Sequence, residues 1–256
     1  MNIASAAERV DSAALNAIAI EQISANEPFS VQEAYEIQRA SIERRRQRGE
    51  HTIGLKLGFT SRAKMVQMGV DSLIWGWLTD SMLEEDGAPV DLGRFIHPRV
   101  EPEVCFLTRR DITGPLTALE ALSYLEAVAP AMEIIDSRYR NFKFSLEDVI
   151  ADNCSSSGLV VGAWSTRFDN LRNAGVLMRF DGRDVQVGST GAILGNPLRA
   201  IVHASQLVAD AEIVLPAGTL VMAGAATAAQ ALTGGLHVQC SVCGLGRVEF
   251  TTRKNA

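Results

Sequence analysis

From His51 onward, short apolar runs are separated by Gly, Asp, Asn and Pro, and this punctuation limits most of the chain to a β-rich body. The spacing predicts strands over Thr52–Phe59, Val100–Leu107, Ala131–Asp136, Ser157–Trp164, Val176–Phe180, Gly218–Ala223 and Leu236–Cys243, with a last one near Arg247–Thr251. Helices are expected between them at Ser61–Met68, Leu116–Glu126, Leu146–Val149 and Pro197–Ala209. The first fifty residues read differently. Val10–Ile23 is rich in Ala, Ile and Leu with polar residues on the opposite phase. Ser30 with Glu33 forms a capping box ahead of an amphipathic run that should end near Gly49. No linker and no internal repeat divides the chain. The expectation is a helical N-terminal portion, residues 1–50, on one β-rich catalytic body, residues 51–256.

Charge and composition remove several classes of function. A formal net charge of -6 argues against nucleic acid or an anionic membrane as a bulk electrostatic partner. The basic run Arg44–Arg48 reads as the solvated end of a helix. The N-terminus carries early acids and no basic segment ahead of an apolar one, unlike a secretory signal. No stretch approaches the ~20 apolar residues of a membrane span. The four cysteines, without a secretion signal, suggest free thiols in a reducing, cytoplasmic setting. Cys240 and Cys243 lack the second pair that a zinc site needs, and strand alternation would send them to opposite faces. The histidines at 51, 97, 203 and 237 are scattered, and no glycine-rich phosphate loop joins a strand to a helix.

One segment resists a bland reading. In RVEPEVCFL, Glu101 and Glu103 lie two apart in a strand-like run and so face the same way, where like charges repel. A third carboxylate, Glu133, sits in the equally apolar AVAPAMEIID. Singly, Glu101 and Glu103 could line the wet face of an edge strand, and Glu133 could pair with Arg138 or Arg99. Together they supply three oxygen ligands with no His or Cys, a set suited to Mg²⁺ or Mn²⁺. Lys56, in the apolar IGLKLGFT, is either a lysine snorkelling from a strand edge or the cation that balances an anionic substrate.

Three strings, GLKLGFTSRAKMVQMGVDSLIWGWL, IHPRVEPEVCF and APAMEIIDSRYRNFKFSLEDVIADNCSS, in this order and spacing, resemble the hydratase/decarboxylase branch of the fumarylacetoacetate hydrolase superfamily. The resemblance runs from about Ala34 to Phe250, and DSRYRNFKF is closer to the 4-oxalocrotonate decarboxylases than to the hydratases. It implies an α+β fold with a mixed β-roll core and a Mg²⁺ or Mn²⁺ ion on Glu101, Glu103 and Glu133. It also implies Lys56 as the catalytic lysine. The implied substrate is an α-keto dicarboxylate, 4-oxalocrotonate. Loss of its distal carboxylate needs a Lewis acid and no enzyme nucleophile. Asp80 and Ser155 match substrate-facing positions, and Arg138 and Lys143 are candidates to hold the departing carboxylate, which Phe142 and Phe144 could desolvate. The same resemblance implies a homo-oligomer and a complex with a cognate hydratase.

Two other readings stand beside it: a 2-hydroxypenta-2,4-dienoate hydratase, and a non-catalytic structural partner of such an enzyme. One departure touches the pocket. Relatives carry T-G-G or T-G-S where this chain has Ala223-Gly224-Ala225-Ala226-Thr227, so a hydroxyl is lost there unless Thr227 replaces it.

Overall fold

The computed structural model describes residues 1–61, 65–66 and 72–253. Two helices open the chain, α1 (Ile3–Asn16) and α2 (Val31–Gln47). The Ser30–Glu33 capping box forms, and α2 ends at Arg48, ahead of a left-handed Gly49. The first helix starts and stops earlier than its apolar pattern suggests. Asn2 caps it by accepting the Ser5 N–H at 3.1 Å, and Ala17 ends it in the left-handed region. Ile20 then runs extended and bridges to Tyr139.

Thirteen strands form two sheets among the described residues. The larger joins β1 (Thr52–Gly58), β2 (Ile74–Thr79), β3 (Leu83–Glu84), β5 (Arg99–Thr108), β6 (Leu125–Ile135), β7 (Ser156–Val161), β10 (Leu220–Met222) and β11 (Gln230–Ala231). Its order is β2-β1-β10-β5-β6-β7-β3, with β11 against the start of β5. The β1–β10 and β3–β7 pairs are parallel and the rest antiparallel, a mixed sheet. The smaller sheet, β4-β13-β12-β8-β9, uses β4 (Pro89–Asp91), β8 (Gly175–Phe180), β9 (Arg183–Ser189), β12 (His237–Val242) and β13 (Gly246–Arg253).

Alternation decides what each face of the large sheet does. Leu55, Leu57, Val100, Val104, Phe106, Met132, Ile134 and Val221 point to one side. There they pack on the smaller sheet, through Val176, Met178, Val238, Val248 and Phe250, and on helix α5 (Leu198–Asp210). The other side carries a smaller apolar cluster of Leu78, Met82, Cys105, Ala131, Leu159 and Met222. It also carries the ionisable groups considered below. A third cluster joins α1 and α2 to Ile74, Tyr139 and α4 (Leu146–Ala151).

Several elements depart from the sequence expectation. Leu116–Glu126 was expected to be helical, yet only the single turn α3 (Ala118–Ala121) forms. Leu119 and Leu122 are 95% and 46% exposed, so that part of the apolar stripe has no core to meet. From Leu125 the backbone pairs with β5 instead, which lengthens β6 at its start. The GWLTD segment reads as a turn, but Ile74–Thr79 is a strand. Gly76 is required there by packing, because a Cβ would lie 2.5 Å from the Asn153 carbonyl oxygen. The helix expected at Ser61–Met68 falls largely outside the described residues. Cys240 is buried and Cys243 exposed, as alternation predicts.

Candidate active site

The register brings the three glutamates together. Glu101 stands directly opposite Glu133 across the β5–β6 ladder, and Glu103 follows two residues on, on the same face. All three are buried, and one carboxylate oxygen from each lies within 4.8 Å of the others. Lys56 enters from β1, two strands beyond β5. On a flat sheet the β1 and β6 axes would stand roughly 14 Å apart. Yet Lys56 Nζ lies 3.2 Å from Glu133 Oε2. The sheet therefore curls, and its concave side gathers the four groups. Glycines on either side of the lysine permit this: at Gly54 a Cβ would strike the Leu220 carbonyl, and at Gly58 the Ile74 side chain.

Three carboxylates at this depth are costly without a counterion. Burial raises the Glu103 carboxyl well above the ordinary range, with Glu133 adding to it and Lys56 opposing. Glu133 is raised by burial too, against the pull of Lys56. Burial alone would lower the lysine, but Glu133 first, with Glu103 and Glu101, holds it above its usual value. The Gly224 N–H donates to Glu103 Oε2 at 2.8 Å. Glu103 Oε1 and Glu133 Oε1 are buried without any hydrogen-bond partner. Orphaned carboxylate oxygens converging on one point, with no His or Cys joining the group among the described residues, fit a hard divalent cation.

A cavity of about 320 Å³ opens above this cluster, lined by Lys56, Glu101, Arg99, Thr60, Phe142, Phe144 and Ser155 among others. A larger depression of about 810 Å³ beside Trp77 and Pro216 has no carboxylate in its lining. Four residues of the smaller cavity's wall, Phe59, Phe142, Cys154 and Ser155, have left-handed backbone with φ between 53° and 59°. Each non-glycine residue in that region costs about 1–2 kcal/mol, and such strain concentrates where a side chain must be aimed. Asn153 anchors the turn that carries two of them. Its amide accepts the Trp77 N–H at 2.7 Å and donates to the Trp77 carbonyl at 2.9 Å, completing the edge of β2. The Cys154 thiol donates to the Trp75 carbonyl at 3.0 Å and is pushed up to about 12 by burial, so it offers no nucleophile. Ser155 Oγ is buried and unpaired in the wall.

A family model described as fumarylacetoacetate (FAA) hydrolase, C-terminal, matches residues 52–253. The chain belongs to the fumarylacetoacetate hydrolase family. Among curated relatives it is 54% identical to a 4-oxalocrotonate decarboxylase of Pseudomonas sp. over 252 residues, 98% of each chain. It is also 31% identical to a 2-hydroxyhexa-2,4-dienoate hydratase of Comamonas testosteroni, over 95% of this chain and 96% of the relative. Among solved structures it superposes with a TM-score of 0.94 on the 4-oxalocrotonate decarboxylase of Pseudomonas putida G7 complexed with magnesium and adipate. That match is 36% identical and covers 98% of this chain and 97% of the other.

Within this family member, Lys56, Glu101, Glu103, Glu133 and Ser155 converge, and three other residues expected at the site stand apart. Arg138 is 2% exposed and fully engaged: its guanidinium pairs with the Asp152 carboxylate and donates to the Asp152 carbonyl and Ser157 Oγ. It braces the turn behind the cavity and cannot also face a substrate. Nor does Arg138 or Arg99 pair with Glu133, whose partner is Lys56. Asp80 is 44% exposed and accepts the His51 and Ser81 N–H groups outside the cavity. Lys143 is exposed, because its neighbours Phe142 and Phe144 take the inward positions.

Sequence reasoning missed Thr60 and the direction of Arg99. Alternation could have found the arginine, since Arg99, Glu101 and Glu103 share a strand face. Thr227 is absent from the cavity wall and packs toward Gly188 of β9, so the hydroxyl lost from the Ala223–Ala225 segment is not replaced from there. Thr60 presents one instead, packed where a Cβ on Gly224 would lie 2.0 Å from its Oγ1. Gly224 has φ +106°, so Gly224→Ala adds backbone strain and a clash in the same step. The expected cost is about 1–3 kcal/mol of stability, with a drop in Mg²⁺ affinity as Glu103 loses its fixed N–H, read by thermal melting and by titration of Mg²⁺.

Proposed function

We propose that this protein is a divalent-metal-dependent 4-oxalocrotonate decarboxylase, releasing CO₂ and 2-hydroxypenta-2,4-dienoate. The observation that carries the reading is the buried triad of Glu101, Glu103 and Glu133, with orphaned oxygens on Glu103 and Glu133 and Lys56 beside it, at the base of a cavity sized for a small diacid. The high identity to a decarboxylase along nearly the whole chain supports the same conclusion.

The three glutamates would hold Mg²⁺ or Mn²⁺, which when bound supplies Lewis acidity for negative charge developing on the substrate's C2 oxygen. With Lys56 protonated, a divalent cation brings the cluster to formal neutrality, so an anionic keto acid can enter without repulsion. Lys56 also offers an N–H donor at the cavity floor and is placed to give a proton to the dienolate that CO₂ loss leaves, which yields the product dienol. Phe142 and Phe144 give the distal carboxylate an apolar wall, which weakens its hydration before it leaves. Electrons from the breaking C5–C6 bond pass through C5, C4 and C3 to the C2 oxygen, and no covalent enzyme intermediate is needed.

The hydratase alternative uses the same triad and lysine on a substrate without the distal carboxylate. Offering the Mg²⁺-loaded protein both substrates separates the two: CO₂ release supports the decarboxylase, and water addition without CO₂ release overturns it. Homo-oligomerisation, association with a hydratase of the same family and a cytoplasmic location belong to this proposal. No described helix is long and apolar enough to cross a membrane.

A pH dependence follows from the raised carboxyls. Protons on Glu103 and Glu133 compete with the cation, so affinity for Mg²⁺ rises with pH. In the chelated protein the same groups favour folding when protonated, and that contribution is lost as pH rises through their folded pKa. The stabilisation conferred by Mg²⁺ should therefore be larger at pH 8 than at pH 6, measured as the Tm difference between Mg²⁺ and chelator.

A further inference from the structure

Strand alternation on β5 places Arg99 on the same face as Glu101 and Glu103, at the end where the strand reaches solvent. Arg99 lines the cavity, and its guanidinium lies over the Phe142 ring, 4.5 Å from the centroid. It has no carboxylate partner and no side-chain hydrogen bond among the described residues, while Arg138 is consumed by Asp152 and Lys143 faces solvent. The ring beneath it is held deliberately. Asn141 and Phe142 are both left-handed, at φ 58°, and Phe142 also touches His97 and Phe144 at centroid distances of 5.0 and 6.0 Å. A bulky aromatic side chain in that backbone region needs a compensating reason.

We infer that Arg99, seated on Phe142, receives the carboxylate at the far end of the substrate and so selects a dicarboxylate over a monocarboxylate. This rests on the decarboxylase reading above. Two strand residues span about 7 Å, a separation comparable to an extended six-carbon diacid with its keto-acid end at the glutamate cluster. Arg99 is exposed and stacked, so it attracts the distal carboxylate without enclosing it in a full set of hydrogen bonds. Full enclosure would stabilise the charge that decarboxylation must dissipate. The interaction is made in the ground state, so losing it should fall on KM more than on kcat.

The test uses the full chain loaded with Mg²⁺. Adipate and hexanoate, six-carbon acids differing in one carboxylate, are titrated against the wild type, Arg99→Gln and Arg99→Lys. The wild type should prefer adipate by about 10- to 100-fold, the range of one charge-assisted hydrogen bond. Arg99→Gln should abolish that preference while leaving hexanoate binding in place, and Arg99→Lys should keep part of it. KM for 4-oxalocrotonate should rise by a similar factor in Arg99→Gln. A wild type without preference, or an Arg99→Gln variant that retains it, overturns the inference. Because the titration needs no turnover, it judges Arg99 even if the wild type releases no CO₂, and that latter result would count against the decarboxylase reading alone.

Discussion

Glu103→Gln should abolish most of the activity, by about a thousandfold, and leave the fold intact. The size follows from the several kcal/mol that a bound cation contributes to charge stabilisation. The intact fold follows from the site's own electrostatics. Glu103 is buried beside Glu133 and Glu101, and its carboxylate is disfavoured by burial first and by Glu133 next. An amide of the same shape removes that repulsion and still accepts the Gly224 N–H. Measured in chelator, the variant should melt no lower than the wild type, while CO₂ release in saturating Mg²⁺ collapses. A variant with unimpaired turnover would remove Glu103 from the mechanism. A variant that loses activity only because it unfolds would make the cluster structural.

Asp152→Ala acts in the opposite sense, through stability. Arg138 and Asp152 form a buried ion pair, and the arginine also grips the Asp152 carbonyl and Ser157. Deleting the carboxylate leaves a guanidinium buried without its counterion, which costs about 3–5 kcal/mol. For a chain of this size the expected fall in Tm is about 10 °C. The pair is not a source of large net stability. Burial pushes the Asp152 carboxyl up to about 6 despite Arg138 beside it. The double variant Arg138→Met/Asp152→Ala should therefore melt above Asp152→Ala alone, as thermal denaturation would show. The consequence for the site is indirect. The turn of Asn153, Cys154 and Ser155 follows Asp152 immediately, and its left-handed backbone is held from both ends. An equal fall in Tm for the single and double variants would contradict this account.

The sequence was most legible where a short period met an unambiguous chemistry. Period-two alternation in RVEPEVCFL put Glu101 and Glu103 on one face, and the cost of burying Glu133 in an apolar strand pointed to the same centre. The Ser30–Glu33 box located α2 because both of its hydrogen bonds are local. Longer-range facts were less legible. Leu116, Leu119 and Leu122 have helical spacing, but nothing in the sequence reveals that only Leu116 meets the core while Leu119 and Leu122 stay exposed. Gly76 looks like a turn residue until Asn153 is seen pressing its carbonyl against it. Arg138 and Lys143 were reasonable cations for a substrate carboxylate, yet one is engaged by Asp152, fourteen residues away, and the other is turned out by its aromatic neighbours. Arg99 enters the sequence reading only as a possible partner of Glu133, although the alternation that aligns the glutamates also sets it on their face.

Decarboxylation should depend on a cation held by the three buried glutamates. The most direct measurement is CO₂ release from 4-oxalocrotonate by protein stripped with chelator, before and after Mg²⁺ is restored. Near-zero release is expected from the stripped protein and full recovery with Mg²⁺, with no recovery in Glu103→Gln. Undiminished release from the stripped protein would contradict that dependence.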